Sequence, residues 1–148
     1  MDRHVLTVTI DCAARPCVPD HYSLVSHQLG ATIAWDRNRQ RDALYVSSKG
    51  DILGTRLRRE LTRNHVPVLN ARVIDHLLLY QGQIPEEWRR RRIHFWGTIY
   101  NHKIEDGRLA VRYLWWDHAD HRWRDGVNWI GNLFTWETPV AIFSRGGH

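Results

Sequence analysis

A chain of 148 residues, 43% hydrophobic and 25% charged, has the size of one ordinary domain and enough apolar surface to fold, which excludes two large domains and global disorder. Its apolar runs, such as Leu77 to Tyr80, fall far short of the roughly 20 residues a bilayer helix needs, and no charged-then-apolar leader is read at the start, so a cytoplasmic, non-membrane protein is expected. The formal net charge is +5, and every basic residue except Lys49 and Lys103 is arginine, the forked cation suited to phosphates, carboxylates and aromatic faces.

His4 to Ile10 alternates, with Leu6, Val8 and Ile10 on one face, and predicts a half-buried strand. Asp11 to Ser26 holds Pro16 and Pro19 and no period, so a loop with a short turn of helix is expected. Ala31 to Trp35 and Ala43 to Ser47 predict short strands around a solvated connection, Asp36 to Arg41. Thr55 to Asn64 places Leu57 and Leu61 four apart among Arg56, Arg58, Arg59 and Arg63, a short amphipathic helix with a basic outer face. A second helix is marked by Asn70 as N-cap, the stripe Val73, Ile74, Leu77 and Leu78, and Gly82 at the place of a left-handed C-terminal residue. Pro85 then opens a single turn through Glu86, Glu87 and Trp88, where the acids suit the positive helix end.

Beyond Arg92 the period changes from 3.6 to 2. Ile93 to Tyr100 and Leu109 to Trp115 read as strands joined through a turn at Asp106-Gly107, and Val140 to Phe143 as a last strand. The sum is one α+β domain over 1–144, with N-terminal strands, two helices and a C-terminal antiparallel meander, followed by a flexible tail, 145–148. Cys12 and Cys17 enclose only four residues and lack partners at zinc-site spacing, so free thiols are expected, with a local disulfide or metal ligation as alternatives.

Three groups of residues could carry function. Eight tryptophans is an unusual number, and Trp115, Trp116, Trp123, Trp129 and Trp136 crowd into one stretch with short polar residues between them. Large amphipathic rings interleaved with adaptable polar groups compose binding surfaces, so Trp116, Trp123 and Trp129 are expected as anchors, and Asp117, His118, Asp120, His121, Arg124, Asn128 and Asn132 as the specificity set. The alternative reading puts function on Arg89, Arg90, Arg91 and Arg92, which could neutralise phosphates while tryptophans stack on bases. A third reading, a metal-dependent enzyme through Asp117, His118 and His121, has suitable ligand types at unhelpful spacing. No nucleophile elbow or phosphate-cradling glycine loop is present, and Glu86 and Glu87 are better explained by the helix dipole than as acid and base. A non-enzymatic binding module is therefore expected, with no catalytic residues, no metal, no cofactor, and an unknown protein, small ligand or nucleic acid as partner.

The blocks Pro67 to Leu78, Ile84 to Trp88, Phe95 to Tyr100 and Val111 to Leu114 resemble a family of uncharacterised small bacterial proteins, over roughly Ala43 to Ser144. That resemblance implies one cytoplasmic bacterial domain and carries no activity with it. The order of strand, two helices and ring-rich β region is more loosely similar to the C-type-lectin-like variable proteins of diversity-generating retroelements, in which exposed positions vary between fixed aromatics. Between Asp117 and Thr135 the non-tryptophan residues are of types that adenine mutation in asparagine codons can reach. The resemblance implies a ligand-display surface there. The calcium-site signatures of lectins, Glu-Pro-Asn and Trp-Asn-Asp, are absent, so calcium and sugar are not implied.

Overall fold

The computed structural model describes residues 8–28, 30–105 and 107–144. His4 to Thr7, Asp106 of the expected turn and the expected tail at 145–148 lie outside them. Helix and sheet mix in one unit. The main sheet runs in the order β4 (Leu44–Tyr45), β10 (Val140–Ala141), β6 (Ile93–His102), β7 (Leu109–Asp117) and β8 (Arg122–Trp129), with β2 (Tyr22–His27) joined to the other half of β6. β6 and β7 form the expected antiparallel pair and β8, not expected as a strand, extends it into a meander, while β10 enters parallel to β6 through Val140 and His94, so the sheet is mixed. Two small ribbons complete the strands: β1 (Val8–Asp11) with β3 (Thr32–Trp35), and β5 (Ile52–Leu53) with β9 (Leu133–Phe134).

Each sheet face is covered. On one, α3 (Ala71–Leu79) and the β1/β3 ribbon pack Ile74, Leu77, Ile10 and Trp35 onto Ile93, Phe95, Leu114 and Trp123. On the other, α2 (Gly54–Arg63) and the β5/β9 ribbon pack Leu57, Leu61 and Phe134 onto Trp96, Ile99 and Val111. β6 is thus buried from Ile93 to Tyr100, polar residues included, which is how a central strand covered on both faces behaves. Its register breaks between Phe95 and Tyr100, and Gly97 lies at the break. A Cβ on Gly97 would stand 2.8 Å from the Asn70 Cα, so only glycine admits this approach of strand to helix start.

Asn70 fixes that start. Its side chain accepts from the Arg72 N–H at 3.0 Å as N-cap, and its amide donates to the Cys12 and Gln28 carbonyls. The Thr98 hydroxyl of β6 accepts the neighbouring Ala71 N–H at 2.9 Å. At the outer edge of the sheet, the Gln81 side chain accepts from the Trp123 N–H at 2.8 Å and donates to the Trp123 carbonyl at 3.1 Å, standing in for one residue of a further strand. Arg112, 3% exposed, bridges α3 and β8 through Asp75 and Asp125 at 2.8 and 3.0 Å.

Several expectations need correction. Tyr22–His27 is a strand, where the lack of a period suggested a loop with a helical turn; its pairing with β6 supplies the order that its sequence does not show. Asp36 to Arg41 contains α1 (Arg37–Gln40), one turn capped by the Asp36 carboxylate, with Gln40 buried and bonded to the Ile142 carbonyl. α3 ends at Leu79, and Gly82 lies inside a 3-10 turn (Gln81–Gln83), not at a left-handed helix end. A second 3-10 turn follows Pro85, over Glu86–Arg90. Cys12 and Cys17 are free, one buried and one exposed. Among the described residues no helix is long and apolar enough to cross a membrane.

Candidate ligand-binding groove

The polar set expected to face a ligand is largely tied up within its own hairpin. Asp117, at the end of β7, accepts the Ala119 and Asp120 N–H groups at 3.0 and 3.2 Å and pairs with the Arg124 Nε at 2.7 Å, while Arg124 also pairs with Asp120. This brace lets the chain reverse through His121, whose φ is 50°. Arg124 bonding also holds the Asp117 carboxyl below the usual carboxylate range. Asn128 donates to the His94 Nε2 at 3.0 Å and accepts from Asn132 at 2.8 Å. His118 and His121 stay exposed, each ring about 6 Å from Trp116.

The three expected anchors separate. Trp123 is 2% exposed and belongs to the core against α3, so it cannot be a contact residue; Trp116 and Trp123 are direct cross-strand partners, and the outer ring shields the inner one. Trp129, half-buried, has Arg108 over its face. Trp116, also half-buried, opens onto a groove that the sequence alone did not assemble.

That groove has a volume of about 430 Å³, within the range of about 300–1,000 Å³ common for small-molecule sites. Arg89, Arg90, Arg91 and Arg92 form one wall, Trp115 and Trp116 a second, and Thr135, Glu137 and Thr138 the third. The walls are joined by backbone. Pro85 and the 3-10 turn bring the arginines to the end of β7, and the Arg92 N–H donates to the Glu137 carbonyl at 2.9 Å. Thr135 and Thr138 close the opposing turn on themselves: the Thr138 hydroxyl accepts the Thr135 N–H at 2.8 Å, and the Thr135 hydroxyl accepts the Glu137 N–H at 3.1 Å.

Its electrostatics follow from what is unpaired. Among the described residues none of the four arginines has a carboxylate at ion-pair distance, so their charge is open to a ligand. The Arg89 guanidinium lies 3.9 Å from the centre of the Trp116 ring, and Arg91 lies 5.5 Å from that of Trp136 while donating to its carbonyl. Trp136, 61% exposed, belongs to the ring-rich stretch but not to the three expected anchors, and it meets the site only through Arg91. The α2 arginines do not join this lining; Arg58 lines a separate cavity of about 130 Å³ beside Trp96.

Behind the groove stands His94, fully buried. Its Nδ1–H donates to the Arg92 carbonyl at 2.8 Å, which leaves Nε2 as acceptor for Asn128, and the ring stacks on Tyr113 at 4.8 Å. Burial, with the nearby Arg92 charge adding to it, lowers its pKa to about 4, so the ring is neutral. Among the described residues no three His, Cys, Asp or Glu side chains come together as metal ligands, and Asp117 and Asp120 are engaged by Arg124 instead. No family model, curated protein or solved structure matches the chain.

Proposed function

We propose that the protein is a non-enzymatic binding module that takes single-stranded nucleic acid in the arginine–tryptophan groove. The observation that carries this reading is the meeting of four arginines, none ion-paired among the described residues, with Trp115 and Trp116 in one cavity, because phosphates need the first and unstacked bases the second. A cytoplasmic setting belongs to this reading and fits the two free thiols. The test is fluorescence anisotropy of a labelled single-stranded oligonucleotide against salt. With two or three phosphates held, the log-log slope is expected near −0.7 per phosphate, or about −2 in total, and it should flatten by about 1.4 in an Arg90→Ala/Arg92→Ala variant. Binding that ignores salt, or that survives this variant unchanged, removes the proposal.

A second reading keeps the similarity to C-type-lectin-like variable proteins, with recognition on the β7–β8 hairpin. What favours it is the pair of exposed histidines, His118 and His121, beside Trp116. It is the weaker of the two, since Asp117, Asp120, Arg124, Asn128 and Asn132 already bond with one another or with His94. A neighbouring reverse-transcriptase gene with a near-copy of this gene's 3′ end would favour it.

A further inference from the structure

Resting on the reading of the groove as a nucleic-acid site, we infer that the groove selects guanine and that Glu137 is the residue that reads the base. Glu137 lines a cavity walled by four arginines, yet its carboxylate makes no ion pair or hydrogen bond among the described residues. An acidic side chain in a phosphate site opposes the ligand by like-charge repulsion unless it meets donors on that ligand.

The donors decide the base. An ionised carboxylate offers only acceptors, two oxygens side by side, and is best satisfied by two parallel N–H groups. On the Watson–Crick edge, which is the edge read in unstacked single strands, guanine alone presents two adjacent N–H donors, from N1 and the 2-amino group. Adenine and cytosine set one amino group beside a ring nitrogen lone pair, which repels the second oxygen. Uracil sets its N–H between two carbonyls. The Glu137 backbone is held at the cavity, its N–H by the Thr135 hydroxyl and its carbonyl by the Arg92 N–H, while the exposed side chain is free to meet a base. Trp115 and Trp116 line the same cavity, and the Arg89 guanidinium, 3.9 Å from the centre of the Trp116 ring, holds the place a base would take on stacking.

The test is tryptophan-fluorescence titration of the whole chain with GMP, IMP, AMP, CMP and UMP at low salt. GMP is expected to bind at least fivefold more tightly than IMP, which lacks the 2-amino group, and than the other three. Glu137→Gln should erase that preference while UMP binds as well as before or better, with an unchanged melting curve because the side chain is exposed. Equal affinity for all five, or a guanine preference that persists in Glu137→Gln, overturns the inference and leaves the groove reading standing. Displacement of GMP by polyglutamate as readily as by an oligonucleotide overturns it too, since the site would then read charge alone. Absence of any salt-sensitive binding of oligonucleotide removes the groove reading itself.

Discussion

His94 shows how a single side chain sets the pH range of the fold. Its ordinary pKa lies near 6.5 and its folded value at about 4, so the unfolded chain takes up the proton first. The stability it contributes is complete above pH 6.5 and is lost as pH falls from there through 4, about 3 kcal/mol in all. Urea midpoints at pH 7, 5.5 and 4.5 should fall more steeply in the wild type than in His94→Gln, and parallel curves would contradict this. Asn70 was legible as an N-cap from its place before an apolar stripe. Its two bonds to the Cys12 and Gln28 carbonyls were not, because they join residues 58 and 42 positions away and leave no local pattern.

Among the elements, the strands with strict alternation and the helices with four-residue spacing were readable, and the elements whose order comes from partners were not. β2 has no period of its own and gains its form from β6. β8 shows no strand pattern of its own, since Asp, Arg and Asn outnumber apolar residues, but its eight residues pair in full register with β7. The break in β6 was likewise hidden, although Gly97 was its only trace. Gly97→Ala should push the strand away from Asn70 and cost about 1–3 kcal/mol, measured by urea unfolding. A variant as stable as the parent would show that the helix start can retreat. Both halves of the groove were visible as motifs, an arginine run and a tryptophan series. Their meeting was not, because the Arg92 to Glu137 bond spans 45 residues and the reversal at Pro85 had to be seen in space.

At the scale of the molecule, the expected mixture of helix and sheet in one domain is present, while the parallel entry of β10 and the covering of both faces are visible only in three dimensions. One buried charge group joins the layers. Arg112 of β7 holds Asp75 of α3 and Asp125 of β8, and all three come from separate elements. Removing the cation strands a partly buried carboxylate on the helix, so Arg112→Ala should lower stability by about 3–5 kcal/mol in a denaturant titration. A loss under about 1 kcal/mol would mean that solvent reaches Asp75 freely.

A sheet border with unused N–H and C=O groups invites another copy of the chain to continue the ladder. At Trp123 that invitation is withdrawn, because the Gln81 amide occupies donor and acceptor together. A newcomer strand pairing at Trp123 would have to break two bonds before forming its first there, so ladder growth across this end of β8 starts uphill.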